Sequence, residues 1–325
     1  MNRRTLLQSA ALSIGAGAWF SIGKPSPTRY AASQGPLALS GEVLEALAAL
    51  ATPTRLGIGL QRPCPQAHQF DTVTPCNALK WQHVQGRGWG DADAIAGLGL
   101  PVRAHAPLWG HPQGRTPRDR AAGFVREIAE RYGEQIYAWD IVNEPIHLPY
   151  CTDLVPELVR LARELTPWAS IIINEFDAIR YLPGYNDSSC LSRLIEYALE
   201  VGADGVGLQA HGHRWYTKEE LDGTFNEIEA AGLICHVTEA IYRSDDSPIA
   251  VGHTSARGDW GRWTEEHQAL AYRDLVAVAR AHPAVESVTF WTLFDVDAWK
   301  DMPSGGLFDV NGRAKEAWKT ICKEI

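Results

Sequence analysis

Short apolar runs alternate with longer stretches of helical periodicity from Gly41 onward. The short runs lie at residues 55–60, 70–73, 102–105, 137–142, 170–174, 205–209, 234–238 and 288–291, and their length fits strands buried on both faces. Helical patterns lie between most of them, at 116–132, 154–165, 191–201, 218–231 and 265–281. In the fourth of these, Leu221, Phe225 and Ile228 recur at helical spacing and give one core-facing stripe. Strands joined by helical crossovers predict a parallel sheet. Eight in a chain of this size predict an α/β fold of one domain, a closed (β/α)8 TIM barrel. A doubly wound sheet is the alternative, but no glycine-rich phosphate turn follows the first strand.

The start of the chain reads differently. Arg3 and Arg4 precede an apolar, small-residue stretch from Leu6 to Phe20, and residues 2–8 resemble a twin-arginine export signal. The stretch is short and glycine-rich for a membrane span. Cleavage fits either Ala16-Gly17-Ala18 or a later site near Ala32. The expected organisation is a signal and the start of a linker over 1–32, linker over 33–40, and the barrel over 41–325. The expected location is periplasmic or secreted, without stable membrane insertion after cleavage. Six cysteines (Cys64, Cys76, Cys151, Cys190, Cys235, Cys322) would then face an oxidising compartment. Cys64 with Cys76 and Cys151 with Cys190 are bridges that the spacing allows without fixing. Cys235, in an apolar run, reads as a buried free thiol.

Composition narrows the partners. Of 325 residues, 45% are apolar and 21% charged, enough for a sizeable core, and the formal charge is −9. That charge argues against nucleic acid as a partner. It is compatible with a neutral polysaccharide or oligosaccharide. Twelve tryptophans supply flat apolar faces of the kind on which sugar rings stack. Nothing in the chain specifies an oligomeric state.

A barrel's chemistry sits at the C-terminal ends of its strands. There the sequence places Cys76, Asn77, Lys80 and Trp81 after the second strand, and His105 and Trp109 after the third. Asn143 and Glu144 follow the fourth, Asn174 and Glu175 the fifth, Gln209, His211 and His213 the sixth. Glu239 ends the seventh, and Trp291, Asp295 and Trp299 follow the eighth. The segment Trp139-Asp140-Ile141-Val142-Asn143-Glu144 puts a carboxyl directly after an apolar strand, where a merely structural glutamate has little reason to stand. A metal-dependent barrel hydrolase using His105, His211 and His213 is a rival. It usually wants a His-x-His on an early strand, and here that pair follows the sixth. No CxxC pair or zinc spacing is present, so neither a metal nor a cofactor is expected.

Six motifs in order resemble glycoside hydrolase family 10, best known for endo-β-1,4-xylanases, from about Gly57 to Ile321. They are Val73-Thr74-Pro75-Cys76-Asn77-Ala78-Leu79-Lys80-Trp81, Arg103-Ala104-His105-Ala106-Pro107-Leu108-Trp109, the Trp139–Glu144 segment, Gly205-Val206-Gly207-Leu208-Gln209-Ala210-His211, Val237-Thr238-Glu239, and Phe290-Trp291-Thr292-Leu293-Phe294-Asp295 with Trp299. The resemblance implies retaining hydrolysis of a β-glycoside, with Glu144 as acid/base and Glu239 as nucleophile. It implies sugar contacts from Asn77, Lys80, His105, Trp109, Asn143, Gln209, His211, Trp291 and Trp299. Retention requires two carboxyl groups about 5–5.5 Å apart, one protonated and one ionised. Three positions depart from the family pattern. Cys76 stands where the family usually has a glutamate that binds the sugar two places from the cleavage point. Ile241 stands where it has an aspartate in a relay with the histidine, and Thr292 where it has glycine. These departures leave open a non-xylan β-glycan or a small β-glycoside as substrate. A non-catalytic carbohydrate-binding barrel is the alternative of a different class, and the presence of both carboxylates argues against it.

Overall fold

The computed structural model describes residues 54–112, 114–179, 189–249 and 261–323. The signal and linker expected over 1–40 lie outside them. The chain divides into residues 1–49 and a larger unit, Leu50–Ile325, and all that follows concerns the latter.

Its strands are β1 (Arg55–Leu60), β2 (Thr72–Pro75), β3 (Val102–His105), β4 (Ile136–Asn143), β5 (Ser170–Glu175), β6 (Gly205–Leu208), β7 (His211–Gly212), β8 (Ile234–Tyr242) and β9 (Val285–Phe290). The helices are α1 (Trp81–Arg87), α2 (Gly90–Ala96), α3 (Ala121–Tyr132), α4 (Val155–Leu165), α5 (Ser189–Val201), α6 (Lys218–Ala230), α7 (Glu265–Ala281) and α8 (Glu316–Ile321). Pairing runs in parallel from β1 through β6, passes from β6 to β8 and β9, and returns from β9 to β1. The expected eight-stranded barrel is therefore closed. The two-residue β7 is an addition that pairs with the end of β8 at Ile241 and Tyr242.

Boundaries moved where the apolar pattern was ambiguous. The second strand is two residues later than the 70–73 expected, because Phe70 packs its ring on Phe290 and Trp318 instead of entering the sheet. The helix expected over 116–132 begins at Ala121, after Pro117 and a single 3₁₀ turn at Arg118–Arg120. The strand expected over 234–238 continues to Tyr242, so Glu239 lies within it.

The eight barrel strands are buried on both sides over most of their length, as a barrel between core and helices demands. Ile171, Ile172 and Ile173 of β5 are all fully buried. Helix α3 closes one side with Phe124, Val125, Ile128 and Tyr132. Helix α6 starts at Lys218 because Thr217 and Glu220 form a reciprocal capping box.

The barrel interior is polar near Arg103, which is fully buried. Its guanidinium donates to Asp140 (2.9 Å), Tyr137 Oη (3.1 Å) and Ser287 Oγ (3.0 Å), and it also meets His236 Nδ1. A buried charge persists only when paired in this way. Burial works to raise the Asp140 carboxyl, but Arg103 and His105 outweigh it and hold that carboxyl below its ordinary range.

All six cysteines are free, so neither bridge allowed by the spacing forms. Cys76 lies inside the barrel mouth, its Sγ facing the carbonyls of Thr74 and Trp291. Cys190 Sγ donates to the Phe176 carbonyl. Cys235 is the buried free thiol expected.

Candidate active site

Parallel register brings the polar strand ends together. Asn143 on β4 lies opposite Asn174 on β5, which lies opposite Gly207 on β6. Asn174 Nδ2 therefore donates to Asn143 Oδ1 at 2.7 Å and to Glu239 Oε1 at 2.9 Å. Its own Oδ1 accepts from Thr238 Oγ1 at 2.6 Å. Glycine is required at 207, since a Cβ there would stand 2.5 Å from Asn174 Oδ1.

Glu144 leaves the end of β4 with φ of 59°, a left-handed conformation uncommon outside glycine and frequent at functional sites. Its N–H donates to the Asn174 carbonyl (2.7 Å), and its own carbonyl accepts from Leu148 N (2.7 Å). This sharp turn places the carboxyl over the mouth. There Oε2 accepts from Trp109 Nε1 at 2.8 Å and Oε1 from Gln209 Nε2 at 3.2 Å. Gln209 Nε2 also reaches Asn143 Oδ1 (3.3 Å). One lattice of three amides thus links Glu144 to Glu239.

The two carboxyl groups have different surroundings. Glu144 is half-buried and accepts only from neutral donors. Glu239 is buried and faces cationic or cation-forming groups. His211 Nε2 lies 3.3 Å from its Oε2 and His105 Nε2 4.0 Å from its Oε1. Burial acts to raise the Glu239 carboxyl. The His211 hydrogen bond and the charges of His105, His211 and Lys80 outweigh it and hold Glu239 below the ordinary carboxylate range. His105 Nδ1 bonds Asp140 at 2.9 Å, so Arg103, Asp140 and His105 form a chain that ends at Glu239.

The remaining residues named from the sequence line the same mouth. Lys80 Nζ donates to Asn77 Oδ1 (3.0 Å) and lies 4.5 Å from the centre of a Trp109 ring. Burial lowers its ammonium below the ordinary range, against the opposing pull of Glu239, Cys76 and Glu144. Asn77 Nδ2 continues outward to Gln61 Oε1 (2.8 Å). Trp291 is buried and packs edge-on against His105, with ring centres 5.2 Å apart. Trp299 is half-buried and packs edge-on against His211 at 4.5 Å. His213 is exposed. The covered part of its ring lowers it, aided by His211 and Arg243 and opposed by Asp301 and Asp177. His105 has one nitrogen committed to Asp140 and the other facing Glu239, and among the described residues no three potential ligand side chains converge on a metal position.

The three departures have different consequences. Cys76 and Ile241 belong to one buried apolar cluster with Met302 and Trp291, against which Trp299 packs. The two expected carboxylate positions are thus one apolar bed under the tryptophans. Gly59 makes room for it, since a Cβ there would meet the Trp291 carbonyl at 2.5 Å and Cys76 Sγ at 2.9 Å. Burial pushes the Cys76 thiol well above its usual range. Thr292 is buried at the end of β9.

Sequence reasoning assigned no role to Asn174, Thr238, Asp140 or Arg103, which position the site. Only Asn174 carried a legible signal, an asparagine at the same strand-end offset as Asn143. Glu175 accepts from Ile146 N (2.8 Å) and from His147 Nδ1 (2.9 Å). It thereby fixes the turn that follows Glu144. Burial raises its carboxyl, against the opposing bonds from His147 and Ile146.

Comparison with known proteins agrees with this geometry. The family model for glycosyl hydrolase family 10 matches residues 60–324. Endo-1,4-beta-xylanase A of Caldicellulosiruptor saccharolyticus is 27% identical over 313 residues, covering 78% of this chain and 86% of that protein. Beta-1,4-xylanase of Dictyoglomus thermophilum is 27% identical over 309 residues, covering 78% and 82%. Among solved structures, a psychrophilic family 10 endo-beta-1,4-xylanase superposes with a TM-score of 0.65 at 23% identity, covering 83% of this chain and 96% of that one. Native xylanase 10B of Thermotoga maritima does so with 0.64 at 18%, covering 85% and 96%. With both carboxyl groups joined at the mouth of a closed barrel and the family model spanning nearly all of it, the chain belongs to glycosyl hydrolase family 10.

Proposed function

We propose that the protein is a retaining endo-hydrolase of β-1,4-xylan or xylo-oligosaccharides, with Glu239 as nucleophile and Glu144 as acid/base. One observation carries the assignment. Two carboxyl groups share a single amide lattice, with Glu239 held ionised by His211, His105 and Lys80 and Glu144 accepting from the neutral donors Trp109 and Gln209. In the first step Glu144 gives its proton to the glycosidic oxygen while Glu239 attacks the anomeric carbon and the bond to the leaving sugar breaks. In the second, Glu144 takes a proton from water, which displaces Glu239 and regenerates both carboxyl groups. Asn143 uses Oδ1 within the lattice, which directs its Nδ2 to a sugar hydroxyl. Asn77, Lys80, Trp109, Gln209, Trp291 and Trp299 shape the sugar sites, with His105 and His211 acting on Glu239.

Xylan as substrate rests on the named activities of the relatives. The apolar bed at Cys76 and Ile241 favours a second reading, a retaining hydrolase of another β-glycan or a small β-glycoside. The test is sugar release from xylan, xylo-oligosaccharides, other β-glycans and aryl β-glycosides by the wild type, Glu144→Gln and Glu239→Gln. Cutting of xylan that both variants lose supports the first reading, and cutting of other glycosides alone supports the second. Activity that persists in the variants refutes the assignment, and binding without turnover in the wild type would indicate a carbohydrate-binding barrel. The paired Arg3 and Arg4 followed by an apolar stretch further support export of the protein to the periplasm or medium. Fractionation of cells expressing the full chain tests that.

A further inference from the structure

The histidine that faces the nucleophile is held in an unusual way. His211 Nε2 meets Glu239, and its backbone carbonyl accepts from Tyr216 Oη at 2.8 Å. Its Nδ1 has no hydrogen-bond partner among the described residues. The side chain that β7–β8 pairing sets opposite it is Ile241, fully buried against Met302, Cys76 and Trp291. What does meet the imidazole is the Trp299 ring, edge to face, with centres 4.5 Å apart at 82°. That is the close end of aromatic pair distances.

Trp299 sits on a loop fastened from beneath. Lys315 is buried and its ammonium donates to Asp295 Oδ1 (2.7 Å), the Ser304 carbonyl (2.9 Å) and Ser244 Oγ (3.1 Å). All three of its protons are used. Asp295 Oδ1 also accepts from Gly306 N at 2.8 Å. One buried ion pair therefore ties both ends of the segment from Asp295 to Gly306, with Trp299 between them, to β8's following loop at Ser244.

We infer that Trp299 is a positioning residue for His211, doing by ring contact what a hydrogen-bonding partner would otherwise do, and that the Lys315–Asp295 pair holds it there. The inference rests on the reading of Glu239 as nucleophile. An imidazole fixed on one side only by packing keeps its donor aimed at Glu239 as long as the ring contact stays in place. If the loop loosens, the histidine swings and the buried carboxylate loses one of its two donors. The other charged groups facing Glu239 are His105 and Lys80, with the Cys76 thiol beneath, and His213 is the titratable neighbour of His211. Of these, the Cys76 thiol, which clusters with Met302, and His213, which faces Asp301, meet the Asp295–Gly306 segment, but neither hydrogen-bonds Glu239, so a change confined to that segment reaches the hydrogen bonds of Glu239 through His211.

The test is the pH dependence of kcat/KM on an aryl β-glycoside with an activated phenol leaving group. Departure of such a phenol needs little protonation, so the acid limb reports the nucleophile. Trp299→Ala and Lys315→Met should each move the acid limb to higher pH and lower kcat/KM by about tenfold or more, the scale of small misplacements in active sites. Trp299→Phe, which keeps a ring, should leave the limb close to wild type. The double variant should be no worse than Trp299→Ala alone, because both act through one contact. A raised KM with an unmoved limb in Trp299→Ala would make Trp299 a sugar platform only and overturn the inference. An unmoved limb in Lys315→Met would remove the ion pair from it. Should Lys315→Met fail to fold, Lys315→Met with Asp295→Leu replaces the pair by apolar groups and is expected to show the same shift. Activity surviving in Glu239→Gln would instead sink the underlying reading, independently of these variants.

Discussion

Replacing Asn174 by alanine tests the lattice at its centre. The side chain makes three hydrogen bonds, to Asn143, Glu239 and Thr238, all at 2.9 Å or less. Asn143 keeps its second donor in Gln209, so the main loss falls on Glu239. That buried carboxylate has two close donors, and the one removed is the shorter, 2.9 Å against 3.3 Å for His211. A hydrogen bond to a charged group contributes about 1.5–3 kcal/mol. At about 1.4 kcal/mol per tenfold, kcat/KM should fall by about ten- to a hundredfold. The direction of the pH effect follows from the sign of the shift. Glu239 is held below the ordinary carboxylate range, so the wild type keeps its nucleophile ionised into mildly acid solution. Loss of a donor raises the carboxyl and moves the acid limb of kcat/KM upward. Thr238 Oγ1 also loses its acceptor, at a cost of about 1–3 kcal/mol in stability, visible as a lower Tm. The assay is the pH profile on xylo-oligosaccharides or on whichever glycoside the wild type cleaves. An Asn174→Ala enzyme with wild-type kcat/KM and an unmoved limb would refute the lattice as the support of the nucleophile.

Other consequences follow from the same geometry. Cys76→Glu would bury a carboxylate among Ile241, Met302 and Trp291, with Lys80 the cation that acts on that position, and should lower the denaturation midpoint; unchanged stability would contradict the apolar bed. Arg103→Met removes the cation of a buried pair and leaves Asp140 with His105 alone, and should cost about 3–5 kcal/mol by urea unfolding. In the wild type the Asp140 carboxyl is depressed, so its contribution is present above the unfolded carboxylate range and is lost as pH falls through the depressed folded value. Acid unfolding should therefore shift to higher pH when the pair is broken. All six thiols should be free by intact mass under non-reducing conditions. A brief thiol probe should label exposed Cys322 and leave Cys76 and Cys235 unmodified until unfolding, since burial raises both and only the thiolate reacts.

The barrel was legible because its strands are apolar on both sides and its helices carry one stripe, a contrast that survives without any alignment. Boundaries were less so. Phe70 reads as strand but spends its ring on Trp318, 248 residues away in sequence, and Pro117 delays a helix whose apolar pattern begins earlier. The carboxyl groups stood out because each follows or ends an apolar run. Thr238 and Arg103 did not, since nothing local marks a side chain whose partners come from other strands; Asn174 was visible as a strand-end asparagine, but only closure of the barrel puts it beside Glu239. The departures at Cys76 and Ile241 are two separate residues in the sequence and one cluster in the fold.

The central claim is that Glu239 becomes covalently attached to the sugar. It is tested most directly by incubating the enzyme with a 2-deoxy-2-fluoro aryl β-xyloside or xylobioside, which slows release of the intermediate, and mapping the adduct by mass spectrometry. The account predicts one glycosyl group per chain, on the peptide that carries Glu239, absent from Glu239→Gln and released by a second sugar acceptor. An adduct on another carboxylate, or turnover of the parent glycoside with inverted anomeric configuration, would contradict it.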